Sequence, residues 1–250
     1  MKRKLIYGAV LLSAMAAGTS CSKKPLFAHQ QTPQQYSIDS TVVADSSLAQ
    51  MLKPFKRGVD TQMQVVIGRT DIPLTKAQPE STLGNFVADA QLMAARVIDP
   101  KVDASISNYG GLRIPYIDPG PLTRGKMYEL MPFDNMLTII EIPGTIVKQF
   151  CDFMAAKKGW PVSGISFTIK DKVAEDITIG GKELNLNLYY RIAVSDYVAR
   201  GGDNCDFLSS SRKRFTSIFI RDAMMAYVVR LEQEGKPLHP QIENRVRYAE

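Results

Sequence analysis

The sequence predicts an α+β fold: a single domain of mixed β-sheet flanked by helices. Two observations carry this. Strand-like and helix-like stretches alternate irregularly, without the strict βαβ order of a doubly wound parallel sheet. Beyond residue 37 there is no internal repeat and no second linker, so residues 38–250 read as one domain. At 45% hydrophobic and 22% charged over 250 residues, the chain has enough apolar material for a sizeable core and no low-complexity tract.

The N-terminus reads as an address. Lys2-Arg3-Lys4 form a basic region, Leu5–Ala17 an apolar one, and Ala17-Gly18-Thr19-Ser20 a run of small residues ending at Cys21. The apolar run is shorter than the ~20 residues that a spanning helix needs, which favours an export signal over residues 1–20. A cysteine directly after small residues resembles a bacterial lipoprotein processing site, making Cys21 the expected lipidation position. Gly18 departs from the aliphatic residue usual there, so ordinary secretion stays open. Residues 21–37 are polar and aperiodic and read as a tether. The expected location is periplasmic or cell-surface, as a lipoprotein of a bacterial membrane.

Removing the leader takes Lys2, Arg3 and Lys4 with no acidic residue, so the formal charge falls from +6 to +3. No basic stripe with interleaved aromatics remains, and nucleic acid is not an expected partner. Arg212-Lys213-Arg214, the densest basic cluster, reads as a solvated helix start.

The elements follow in order. Ser46-Ser47 are expected to cap a helix carrying Leu48, Met51, Leu52 and Phe55, and Gln64–Gly68 reads as a strand. Ser81 or Thr82 caps a second helix reaching about Ile98, with Leu83, Phe86, Val87, Ala90, Met93, Ala94 and Val97 on its apolar face. Asn85 and Asp89 share a face of it, where hydrogen bonds to a neighbouring loop are favoured over ligand contact. Val102–Ile106 reads as a strand, Met136–Ile142 as another, and Ile146–Met154 as a short helix. Further strands are expected at Gly164–Ile169, Leu184–Leu188 and Tyr189–Ser195, with a Gly180-Gly181 turn between the first two. A long helix is expected from Phe215 to about Glu234. Cys151 and Cys205 allow either a disulfide or two buried thiols.

Three stretches carry chemistry: Ser107-Asn108-Tyr109-Gly110-Gly111-Leu112-Arg113, Met131-Pro132-Phe133-Asp134-Asn135, and Asp196-Tyr197-Val198-Ala199-Arg200-Gly201-Gly202-Asp203. The paired glycines of the first permit backbone angles that side chains forbid, and close approach of a ligand. Phe133 and Tyr197 sit at turn-like positions from which a ring can project into a cleft, and a nucleobase stacks on such rings. Asn108 can donate and accept at a base edge, Asp203 suits sugar hydroxyls, and Arg113 offers a fork to phosphate or sugar oxygens. On spacing alone, core rings and plain hairpin turns explain the same residues equally well.

The order of the motifs adds to this. Glu80-Ser81-Thr82-Leu83-Gly84-Asn85-Phe86-Val87-Ala88-Asp89-Ala90 resembles the opening helix of the C-terminal domain of the 5′-nucleotidase family. Asn108–Arg113, Pro132-Phe133, Val162-Ser163-Gly164 and Asp196–Asp203 follow in that family's order. The resemblance implies that Phe133 and Tyr197 hold a base between them, with Asn108 beside it, Asp203 at the ribose and Arg113 toward the sugar-phosphate. Tyr197 stands where phenylalanine is common, and Lys76-Ala77-Gln78-Pro79 where arginine often occurs.

Family enzymes cleave phosphate with a two-metal site on a separate metallophosphoesterase domain. Such a site needs several histidines, and this sequence holds His29 and His239 alone, with no Asp-x-His or Gly-Asn-His motif. No cofactor and no catalytic residue is therefore expected on this chain. Two divalent metals are expected on a separate metallophosphoesterase partner, with this chain binding the nucleoside or nucleotide. A stand-alone nucleoside-binding lipoprotein and a non-binding scaffold are the alternatives.

Overall fold

The computed structural model of the protein describes residue 39 and residues 41–249. The expected export signal, Cys21 and the tether lie outside the described residues. The first described helix, α1 (Ser46–Met63), has its N-terminal amides bonded by Asp45, whose Oδ1 accepts from the Ser47 and Leu48 N–H groups. Asp45, rather than Ser46 or Ser47, is thus the cap. An ionised carboxylate at this position also opposes the positive end of the helix dipole. No residue of α1 is buried. Residues from Gln50 onward form the compact unit that carries the cores.

Strands β1 (Val66–Thr70) and β2 (Leu74–Thr75) lead into α2 (Thr82–Ile98). Ser81 caps α2 by accepting from the Gly84 N–H at 3.0 Å, and Leu83, Phe86, Val87, Ala90 and Ala94 are buried as their spacing predicts, whereas Met93 is half-buried and Val97, in the last turn, is exposed. The polar face behaves as expected too. Asn85 donates to the Gln241 carbonyl, and Asp89 accepts from Ser163 and Arg245.

The centre of the molecule is a five-stranded mixed sheet in the order β12-β6-β11-β3-β7. These strands are β3 (Ala104–Ile106), β6 (Met136–Pro143), β7 (Val162–Ser163), β11 (Tyr189–Ser195) and β12 (Arg212–Phe219). β3 and β11 run parallel, while the other pairs are antiparallel. Both faces of this sheet are covered, and the side-chain alternation along its strands divides the core in two. Leu137, Ile139 and Ala193 face one cluster, built with α2 and with α6 (Ile220–Gln233) through Phe86, Val87, Ala223 and Met224. Ile140, Ile142, Ile192 and Val194 face the other, built with α4 (Gly144–Ala156) through Val147, Phe150 and Met154.

A second sheet, β10-β9-β8-β13, joins that cluster. Its strands are β8 (Ile165–Lys170), β9 (Val173–Ile179), β10 (Lys182–Glu183) and β13 (Val246–Tyr248). Two small ribbons and one short helix complete the fold: β4 (Tyr116–Ile117) pairs with β2, β5 (Gly120–Thr123) pairs with β1, and α3 (Arg124–Leu130) follows β5.

Four further expectations are corrected. No strand spans Leu184–Leu188. Asn185 folds that segment into a turn by accepting from the Asn187 N–H through its side chain and from the Leu188 N–H through its carbonyl. The Gly180-Gly181 turn instead follows β9, a strand that the sequence reading passed over. The long helix expected from Phe215 begins only at Ile220, because Arg212–Phe219 pairs with β6 as an edge strand. Arg212-Lys213-Arg214 is therefore strand, and charged side chains on an edge discourage pairing with another chain. Cys151 and Cys205 are both free and buried, which resolves that alternative in favour of two thiols.

Candidate functional site

Topology gathers the three motif stretches. Because β3 and β11 are parallel, their C-terminal ends lie at one end of the sheet. Antiparallel β6 begins there, with Leu137 opposite Ser195. Antiparallel β12 ends there, with Phe219 opposite Met136, and hands over to α6. The segments after β3, before β6 and after β11 thus share one rim. Asn108, Arg113, Phe133, Tyr197 and Asp203 all line one cavity of about 360 Å³ at that rim. This falls within the roughly 300–1,000 Å³ usual for small-molecule sites.

Local chemistry fixes each side chain. Ser195 caps α5 (Asp196–Ala199) by accepting from the Val198 N–H at 3.1 Å, and Asp196 accepts from the Met136 N–H at 3.0 Å. The latter bond ties the Tyr197 segment to the strand that follows Phe133. The chain then turns through Gly201 at φ 96°, Asp203 at φ 55° and Asn204 at φ 67°. A Cβ on Gly202 would lie 2.6 Å from three ring carbons of Tyr197, so the Tyr197 ring rests against the bare Gly202 backbone.

The Tyr197 hydroxyl donates to Asp203 Oδ1 at 3.0 Å and accepts from the Asp203 N–H at 3.1 Å. Asn108 Nδ2 donates to Asp203 Oδ2 at 2.8 Å. Since a carboxylate only accepts, this orients the amide and leaves Asn108 Oδ1 against Gly111, where a Cβ would sit 3.1 Å away. Gly110 and Gly111 do not take positive φ; Gly111 provides space rather than an unusual backbone angle.

Asn108 is 7% exposed, whereas Phe133 and Tyr197 are 37% and 45% exposed. Neither ring is a core ring. The Arg113 guanidinium lies 5.4 Å from the Phe133 ring centroid, within cation–π range. Lys76 reaches inward instead of offering its charge at the rim. Its Nζ donates to the Leu112 carbonyl at 2.7 Å and lies 4.2 Å from the Tyr109 ring centroid. Burial, aided by the Arg113 charge, lowers its pKa below the ordinary lysine value. Burial, and secondarily Asp203 and Asp206, push the Cys205 thiol up to about 12.

Two residues escaped the sequence reading. Asn135 lines the cavity, although an asparagine just ahead of a strand carries no signal of its own in sequence. Arg221, at the start of α6, is buried and donates to the Phe133 carbonyl at 3.2 Å and to Asp134 Oδ1 at 2.9 Å. Its guanidinium also sits 4.0 Å from the Tyr128 ring centroid. No local motif marks Arg221; only the β12–α6 boundary brings it to the rim.

Among the described residues, no group of three or more His, Cys, Asp or Glu is arranged to hold a metal ion, and His239 is bonded to Asp71 at 2.7 Å. Nor, among them, is any helix long and apolar enough to cross a membrane.

Comparison with known proteins gives a consistent answer. The family described as 5′-nucleotidase, C-terminal domain, matches residues 65–210. A 5′-nucleotidase of Vibrio vulnificus is 30% identical over 183 residues, covering 68% of this chain and 32% of the relative. One from Vibrio cholerae is 27% identical over 194 residues, covering 72% and 33%. The chain thus spans about a third of the length of these relatives. The crystal structure of a 5′-nucleotidase precursor from Thermus thermophilus superposes with a TM-score of 0.68 at 23% identity, covering 82% of this chain and 44% of that one. The fold is therefore the expected α+β domain, and the chain belongs to the 5′-nucleotidase C-terminal domain family.

Proposed function

We propose that this chain is the nucleoside- or nucleotide-binding part of a nucleotide-hydrolysing system. The observation that carries the reading is the convergence of Asn108, Arg113, Phe133, Tyr197 and Asp203 on one cavity from three separate stretches. Two half-exposed rings on such a cavity suit the two faces of a base, a contact of about 1–3 kcal/mol per base. Asp203 accepts from the sugar hydroxyls, Asn108 holds that carboxylate and lies beside the base, and Arg113 faces the sugar-phosphate side.

The phosphate-cleaving centre belongs, in this reading, to a metallophosphoesterase module that supplies two divalent metals. Two findings support the division of labour: the sequence offers only His29 and His239 toward a site that needs several histidines, and the matched relatives are about three times as long as the shared segment. The basic and apolar leader followed by Cys21 supports export and a lipid anchor on a bacterial membrane. The test is calorimetric titration of the protein with adenosine and with AMP. Saturable binding of at least one is expected, and absence of binding for both contradicts the proposal.

A further inference from the structure

We infer that the Tyr197 hydroxyl is a positioning group for the Asp203 carboxylate, so that this residue reads the sugar through Asp203 as well as the base through its ring. The inference rests on the nucleoside reading of the cavity given above. A ring that only stacks has no use for a hydroxyl, and a phenol at a half-exposed position can satisfy its hydroxyl with water. Here both hydrogen-bonding capacities of the hydroxyl go to one residue: it donates to Asp203 Oδ1 and accepts from the Asp203 N–H.

Asp203 needs such fastening. Its φ of 55° lies in the left-handed region, which is unfavourable for a residue bearing a Cβ, and it follows Gly201 and precedes Asn204, both also at positive φ. The second carboxylate oxygen is held by Asn108 Nδ2. With one donor on each oxygen, each retains acceptor capacity for one more. A ribose cis-diol offers two donors. A carboxylate clamped at both oxygens meets that diol without first losing its own rotational freedom, and removing such an ordering cost strengthens binding. Phenylalanine at this position would stack as well, but it would leave the Asp203 N–H without this partner and Oδ1 free to swing. The Gly202 backbone behind the ring keeps the hydroxyl aimed, because any Cβ there would displace it.

The test is titration of wild-type and Tyr197→Phe protein with adenosine, 2′-deoxyadenosine and adenine, with thermal unfolding to confirm that the variant is folded. The expected result is adenosine binding weakened by roughly three- to tenfold, the range of one hydrogen bond. Adenine binding stays unchanged, and the preference for adenosine over 2′-deoxyadenosine shrinks. In an Asp203→Ala background, Tyr197→Phe then has no further effect on adenosine. Equal losses for adenine and adenosine would assign the hydroxyl to ring placement alone and overturn the inference, as would an unchanged affinity for adenosine. Wild-type protein that binds none of the three ligands would instead overturn the nucleoside reading, and the inference with it.

Discussion

Gly202 lacks a side chain where Tyr197 needs the room, and that one relation joins a backbone position to a ring's orientation. A Gly202→Ala change places a methyl group 2.6 Å from three ring carbons, so the ring has to tilt off its support. Overpacking of this kind costs about 1–3 kcal/mol. We expect roughly tenfold weaker adenosine binding in the Gly202→Ala variant, measured by calorimetry. Arg221 acts on the Phe133 segment. It bonds the Phe133 carbonyl and the Asp134 carboxylate and stacks on Tyr128. An Arg221→Ala substitution leaves those acceptors short of a donor and is expected to destabilise the fold by about 1–3 kcal/mol, read as a fall in Tm. The thiols give a chemical check on burial. Desolvation raises the thiols of Cys151 and Cys205, the latter to about 12, so the neutral thiol prevails at pH 8 and neither of these two cysteines should react with a thiol reagent until the protein unfolds.

At the scale of elements, the sequence was legible where one period ran uninterrupted between clear ends. α2 is such a case. Its apolar residues keep helical spacing from Leu83 to Ala94, and Ser81 sits where a cap belongs. Ser81→Ala is expected to cost about 1 kcal/mol of stability, measured by denaturant unfolding. The α6 boundary was illegible for a physical reason. Phe215, Thr216 and Ile218 suit a strand, yet the spacing of Ile220, Met224 and Val228 runs back smoothly enough to absorb them into one helix. Only pairing with β6 ends the strand at Phe219. The turn at Asn185 was hidden similarly. Its leucines suggest a strand, but the asparagine side chain offers the backbone a competing bond. Asp45 was missed because serines are equally good caps by composition, and the choice between neighbours depends on backbone angles that sequence does not display.

For the whole molecule, the five residues that line the cavity were legible as types, in their order and, through the family resemblance, as one group, whereas the rim on which they meet was not. It depends on β3 and β11 being parallel while β6 is antiparallel, which puts three distant segments on one rim. Arg221 reaches that rim through the fourth strand, β12, and so carried no local signal. The division between binding and cleavage is also a whole-molecule matter. Purified protein given AMP and Mg²⁺, Mn²⁺, Co²⁺ or Zn²⁺ is expected to release no phosphate above background. Metal-dependent release that a Phe133→Ala change abolishes would place the cleaving centre on this chain and contradict the proposed split.

The central claim is that Phe133 and Tyr197 form the two walls of a nucleoside site. A crystal structure of the protein with adenosine tests it most directly. The account predicts the base between those two rings and the ribose diol on Asp203. A base bound elsewhere, or bound at this rim with either ring turned away from it, would contradict the account.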